Sequence, residues 1–195
     1  MNYKVLIAAT LAAATVAVVE ASTVDEALPA PWFKNGQAPA VNECKAGVDT
    51  DIEKHGTPNL TLQCAATSVG FVSVMQNFAA TDYLGKRVRF SALVKSQDIE
   101  KWSGLWMRID ATGRQGAAFD NMENRPVKGT SDWTPYSIVL DVPQNAEGVF
   151  FGALMLGKGQ LWISDLRFEV VGADIPTTGT HANSGTKPGN LGLSR

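Results

Sequence analysis

The chain has 195 residues, 17 Lys plus Arg against 19 Asp plus Glu, and 45% hydrophobic residues. That length and apolar fraction suit one domain with a sizeable core and exclude a wholly disordered chain. A formal net charge of -2 with two Cys and two His argues against a nucleic-acid partner gripped through a basic face, a cysteine-dense scaffold, and a thiolate or histidine-rich metal centre.

Met1 to Ala21 has the order of a signal peptide. Lys4 supplies the positive start, Val5 to Val19 is uncharged and mostly apolar, and Val19 and Ala21 place small residues ahead of a cleavage site. A bilayer span needs about 20 apolar residues, so a retained anchor is the weaker reading. No later segment could span a membrane. The sequence therefore predicts a periplasmic or secreted protein.

The arm that follows carries Trp32 and Phe33, which read as docking groups. Cys44 and Cys64 are the two cysteines. In an exported chain such a pair is most simply a disulfide. It would close the polar stretch Glu43 to Gln63, which shows little core of its own, and tie the arm to the domain. The loop-entropy gain is about 3 kcal/mol. His55 is the only nearby base, and no Cys-x-x-Cys pair is present, so catalytic cysteine chemistry is not indicated.

Strand signals then dominate. Asn59–Cys64 and Gly70–Phe78 read as strands, and Ala79–Tyr83 as one helical turn. Arg87–Lys95 alternates Val88, Phe90, Ala92 and Val94 against Arg87, Arg89, Ser91 and Lys95, as a half-buried strand does. Asp98–Trp102 reads as a second helical turn, with Trp102 at a loop tip. Leu105–Asp110 sets Leu105, Met107 and Ile109 on one face and Trp106, Arg108 and Asp110 on the other. Tyr136–Val142 alternates. Gly148–Leu156 is apolar on both faces, as a central strand is. In Leu161–Val170, Trp162, Leu166, Phe168 and Val170 alternate with Asp165, Arg167 and Glu169, which places Trp162 in the core. Leu84–Lys86, Thr112–Arg114, Pro143–Asn145 and Gly157–Gln160 are turns. Gly172 to Arg195 is too polar to offset its ordering entropy and reads as a flexible tail containing His181.

Many short strands without a capped helix predict an all-β, antiparallel β-sandwich of jelly-roll kind over 28–171. An immunoglobulin-like sandwich and a barrel are the alternatives. No His-x-x-x-His pair, phosphate-binding glycine loop, Gly-x-Ser-x-Gly elbow or dinucleotide fingerprint occurs. The candidate site comes instead from polar residues clustered beside tryptophan. Trp106, Arg108 and Asp110 share a strand face that would stack a sugar and hydrogen-bond its hydroxyls, or would be a solvated face with an ion pair. Asp120, Asn121, Glu123 and Arg125 form a dense polar loop that holds a ligand or a hard cation, or caps its own backbone. Trp133 would line a cleft rim or plug the core. If the protein is an enzyme, Asp110 with Asp120 or Glu123 would be the paired carboxylates of glycoside chemistry, about 5 or about 7–9 Å apart. No cofactor is indicated beyond a structural calcium, for which Asp165 would join Asp49 or Asp51, with backbone carbonyls completing the shell. A structural interaction domain of the cell envelope is the third functional class.

The stretches GKRVRFSALVKS, WSGLWMRID, AFDNMENRPVKGTSDWTPYSIVLDVP and FGALMLGKGQLWISDLRFEVV resemble a bacterial family of galactose-binding-like jelly-roll domains. The likeness runs from about Phe71 to Val171, and more loosely includes Trp32 and Gly47-Val48-Asp49. Its most distinctive string holds Asp120, Asn121, Met122, Arg125, Pro126, Lys128, Gly129, Thr130 and Trp133. Members of that family resemble standalone exported proteins or domains appended to transcriptional regulators. The resemblance implies a jelly roll and, by analogy of fold alone, a carbohydrate ligand and a structural calcium.

Overall fold

The computed structural model describes residues 24–54, 57–66 and 69–179. The segment Met1 to Ala21, expected to be a signal peptide, and His55 and His181 lie outside the described residues. Among those described, ten strands occur in chain order. They are β1 (Val24–Asp25), β2 (Phe33–Gly36), β3 (Lys45–Lys54), β4 (Thr57–Cys64), β5 (Phe71–Ala79), β6 (Arg87–Ala111), β7 (Arg114–Asp120), β8 (Val127–Asp141), β9 (Ala146–Leu156) and β10 (Gly159–Val171). One turn of α-helix, α1, covers Ala40–Glu43, and a 3-10 turn covers Ala80–Tyr83, where a helical turn is expected. No helix among the described residues is long and apolar enough to cross a membrane.

The fold is an antiparallel jelly-roll sandwich, and β6 is its corner. The first half of β6 pairs with β10 and β8, and its second half with β9 and β7. Pairing continues outward from β10 through β4 and β3 to β1, and from β9 through β5 to β2. Sequence periodicity suggests two strands separated by a helical turn at Asp98–Trp102. The chain instead stays extended and bends. Asp98 adopts a left-handed φ of 52°, and the β6–β8 register shifts between Ser96 and Ile99. One extra residue in a strand exchanges its two faces. Even-numbered Val88, Phe90, Ala92 and Val94 therefore face the core before the bend, and odd-numbered Leu105, Met107 and Ile109 face it afterwards.

The two layers close on each other through these residues. Phe90 of the first layer meets Phe151 of the second with ring centroids 4.8 Å apart, edge to face. Phe78, Tyr83 and Phe168 extend the aromatic cluster. Fully burying a large apolar side chain contributes about 1.5–3 kcal/mol, so this shared core explains why the layers stay together.

A second bulge, at Asp165 (φ 50°), interrupts β10 between Ser164 and Arg167. Leu161 and Ile163 fill the core before it, and Leu166 and Phe168 pack there after it. Trp162 is consequently buried as expected, yet on the outer face of its layer. Its Nε1 donates to Asp49 Oδ2 at 2.7 Å. Asp49 is fully buried, and its Oδ1 accepts the N–H groups of Asp51 (2.9 Å) and Ile52 (3.2 Å). The expected grouping of Asp49, Asp51 and Asp165 does not form. Asp49 lies on the β3–β4 side of β10, whereas Asp165 lines a hollow with Ser91, Tyr136 and Arg167 on the β6–β8 side. Among the described residues, no three His, Cys, Asp or Glu side chains are arranged to hold a metal ion.

Cys44 and Cys64 form the expected disulfide. The stretch they enclose, however, is part of the sandwich. β3 and β4 pair from Lys45↔Gln63 to Asp49↔Asn59, and β4 pairs with β10. Ala46, Leu60, Leu62 and both cysteines are buried in the common core. The alternation is real but carried by few large side chains, so the segment looks polar in sequence.

The chain also stays ordered past Val171. Arg87 Nη1 donates to the carbonyls of Ala173 (2.8 Å) and Ile175 (2.6 Å), while its Nε and Nη2 grip Asp141 at 2.7 and 2.9 Å. Thr178 N–H donates to Val139 O at 2.9 Å, and Val139 N–H donates to Thr178 Oγ1 at 2.9 Å. The segment expected to begin a flexible tail is, as far as Gly179, a strap along β8. Composition did not show this because the strap is held by hydrogen bonds rather than by apolar burial.

Candidate functional site

The second layer has an apolar outer face, and that face carries a cleft of about 540 Å³. Its lining comes from both edges of the layer and every strand between them. β2 contributes Phe33 and Asn35, and β5 contributes Phe71 and Met75. β9 contributes Phe150, Leu154 and Leu156, β6 contributes Trp102, Trp106 and Arg108, and β7 contributes Phe119. Gln37 and Gly70 extend one rim, and Asn121 and Glu123, just beyond β7, extend the other. Volumes of 300–1,000 Å³ are usual for small-molecule sites.

Strand alternation creates this face. The face exchange at Asp98 turns Trp106 and Arg108 away from the core that Leu105, Met107 and Ile109 fill. Gly148–Leu156 behaves as a strand apolar on both sides. Val149, Phe151, Ala153 and Met155 serve the sandwich core, and Phe150, Leu154 and Leu156 serve the cleft.

Trp106 forms the floor. Only 8% of it is exposed. Its indole reaches across β9, and Nε1 donates to Ser73 Oγ on β5 at 2.8 Å. Ser73 Oγ in turn donates to Ala153 O at 2.8 Å. Gly152 lies directly between Trp106 and Met75 in the register. A Cβ there would run into Val74 O and come within 2.8 Å of Met75 Cα, so only glycine fits. Phe33, 38% exposed, and the half-buried Trp102 are the aromatic rings offered at the rim.

Arg108 is the cation of the cleft and is held on two sides. Its Cζ lies 4.5 Å from the centroid of Phe150, within cation–π range. Its Nη2 donates to Asp110 Oδ2 at 3.0 Å, and Nε approaches Oδ1 at 2.9 Å without the alignment of a hydrogen bond. Asp110 Oδ1 also accepts the Gly116 N–H at 2.7 Å. Asp110 therefore supports and neutralises Arg108 from outside the lining.

The polar loop divides between two faces. Asn121 and Glu123 reach the cleft. Asp120 does not, because it pairs with Met107 in the β6–β7 register and shares the inward side of that strand. It is buried and accepts from Arg125 Nη1 (3.1 Å) and Nη2 (2.6 Å), from Met122 N–H (2.8 Å) and from Thr178 Oγ1 (2.5 Å). Arg125 also donates to Ser137 O at 3.3 Å. Asp120 and Arg125 thus brace the loop. Trp133 belongs to β8, next to the Val94↔Thr134 pair of the first layer, and is not among the cleft residues.

Of the expected ligand-binding set, Trp106, Arg108 and Asn121 line the cleft, and Asp110 stands behind Arg108. Asp120, Arg125 and Trp133 lie elsewhere. Of the two expected carboxylate pairings, Asp110 with Asp120 is split, since Asp120 faces inward beside Met107, whereas Asp110 pairs with the cleft residue Arg108 and Glu123 lines the cleft. Glu123 is the one carboxylate among the cleft residues. Sequence reading missed Phe33, Phe71, Trp102, Phe119 and Phe150. The available signal was the two-sided apolarity of Gly148–Leu156, since an outer face that stays apolar needs an occupant.

No protein-family model matches the chain. It is 37% identical over 149 residues to an uncharacterised HTH-type transcriptional regulator, YbfP, of Bacillus subtilis, covering 75% of this chain and 50% of that one. The chain therefore spans about half the length of that curated relative. Among solved structures, the enzymatically active domain of tailspike protein 4 of bacteriophage CBA120 is similar at a TM-score of 0.57 and 11% identity, over 73% of this chain and 20% of that one. A Clostridium thermocellum xylanase 10B structure holding a CBM22-1 module and a GH10 module with xylohexaose is similar at 0.55 and 12%, over 75% and 27%. The CBM22-1 xylan-binding domain of Paenibacillus barcinonensis Xyn10C is similar at 0.50 and 14%, over 78% and 99%. At these identities the likeness is one of fold.

Proposed function

We propose that the protein is an exported carbohydrate-binding module whose cleft takes an uncharged glycan. The observation that carries this reading is the cleft itself. A layer of sheet that should face water carries rings from five strands, with polar groups at intervals along the rim. Sugars have apolar C–H faces and hydroxyl edges, so aromatic planes interspersed with amides and an arginine match both. Trp102 and Phe33 are the stacking groups, Trp106 is the floor, and Asn35, Gln37, Asn121 and the Nη1 amine of Arg108 meet hydroxyls.

Charge favours a neutral ligand. Asp110 answers the charge of Arg108, and Glu123 adds a negative group at the rim, so a uronate gains little on entering. The xylohexaose in the Clostridium thermocellum structure and the xylan-binding domain of Paenibacillus barcinonensis support trying β-linked neutral chains first. Similarity to half of an HTH-type regulator fits a ligand-binding unit joined to other domains in other chains. The signal-peptide pattern of Met1–Ala21 supports export.

The test is a tryptophan fluorescence titration with xylohexaose, cellohexaose, mannohexaose and a polygalacturonate oligomer, run on the mature chain and on W102A. A neutral oligosaccharide should shift the emission of the native chain, with at least a tenfold weaker response in W102A. Absence of a response to every glycan would overturn the proposal.

A further inference from the structure

We propose that the strap formed by residues 173–179 positions the rim of the cleft, with Thr178 as the positioning residue, so that strap docking and cleft occupancy are coupled. The coupling deepens the glycan-binding reading for its ligand arm, while its structural arm stands apart from it.

The connection is a continuous set of short contacts. Thr178 is fixed to β8 by its N–H to Val139 O and by its hydroxyl, which accepts from Val139 N–H. The same hydroxyl donates to Asp120 Oδ2 at 2.5 Å. The other oxygen of Asp120 accepts the N–H of Met122 at 2.8 Å, and both oxygens engage Arg125. Asn121 and Glu123, which alternate with these braced positions, line the cleft. Gly179 lies beside the backbone of Phe119, another cleft residue, close enough that an added Cβ would stand 2.7 Å from Phe119 O.

This arrangement is poised rather than merely packed. The side chain of Asp120 is 4% exposed, so losing one donor leaves an under-satisfied buried carboxylate. Met122 holds a left-handed φ of 59°, a conformation that a non-glycine residue keeps only under outside constraint. The strap is anchored by hydrogen bonds and belongs to no strand of the sandwich, which places it among the elements able to open locally. If ligand binding needs the rim in this geometry, linkage requires the ligand to protect the strap in return.

The test uses the full chain with T178V, which removes the hydroxyl, and T178S, which keeps it. Hydrogen exchange without ligand should show the 121–125 amides of T178V exchanging at least fivefold faster, those of β6 and β9 unchanged, and T178S like the native chain. Xylohexaose, or whichever neutral hexaose of the titration binds most tightly, should bind T178V about fivefold more weakly and should slow exchange at 173–179 in the native chain. Unchanged exchange at 121–125 in T178V overturns the proposal. So does native affinity in T178V, or a bound hexaose that leaves 173–179 unprotected. If no hexaose binds the native chain, the glycan reading and the ligand coupling both fall, while the exchange data still decide whether Thr178 holds the rim.

Discussion

The indole nitrogen of Trp106 and the hydroxyl of Ser73 meet at 2.8 Å across an intervening strand. This contact joins β6 to β5 over β9 and fixes the cleft floor before any ligand arrives. Replacing Trp106 removes packing as well as the hydrogen bond. W106A should destabilise the fold by about 3–5 kcal/mol, read as a shift in the denaturation midpoint. S73A should cost about 1–3 kcal/mol, because it strands the indole N–H in a buried place. If W106A keeps native stability, the floor assignment is wrong.

Trp102 stands in the opposite relation to the fold. It lines the cleft and is only half-buried, so its removal should leave the thermal midpoint nearly unchanged. Binding of a neutral hexaose should weaken by about 1.5–3 kcal/mol, as for an aromatic side chain that contributes strongly to a recognition surface. Calorimetric titration beside a melting curve separates the two effects. A variant that melts early but binds normally would reverse the roles given to the two tryptophans.

Asp110 offers a test of ligand charge. In D110N the amide oxygen can still accept the Gly116 N–H, but the charge on Arg108 is no longer answered. Uronate-containing oligosaccharides should gain affinity by about two- to tenfold at low salt and lose that gain at high salt. Neutral oligosaccharides should change little. An unaltered preference, measured across ionic strength, would show that Arg108 does not read the ligand.

Cys64 ends β4 and Cys44 caps α1; neither lines the cleft, and the link from Cys44 to a cleft strand is its carbonyl, which accepts from Lys34 Nζ of β2 at 3.1 Å. The double substitution C44A/C64A should cost about 2–4 kcal/mol of stability while glycan affinity at 25 °C stays native. Loss of binding in a variant that remains folded would tie the two layers together more closely than the contacts indicate.

The sequence by itself determined the fold class, most strands of the core and the disulfide. It also determined that Trp106 and Arg108 turn away from Leu105 and Met107. These are consequences of period-two alternation and of cysteine number, which are local properties. What lay beyond it depends on which strand lies beside which. Two single-residue bulges, at Asp98 and Asp165, exchange the faces of long strands. Nothing in local composition marks them, because aspartate is as ordinary in a turn as in a bulge. Asp120 and Arg125 looked like ligand groups because they are polar and close in sequence to Asn121. Pairing of Asp120 with Met107 in the register sends that side chain to the opposite face. The cleft aromatics come from five strands spread between Phe33 and Phe150, and only the order β2-β5-β9-β6-β7 brings them together. The strap was hidden for a related reason. Its binding energy lies in hydrogen bonds to Arg87, Val139 and Asp120, and those partners exist only once the sandwich has formed.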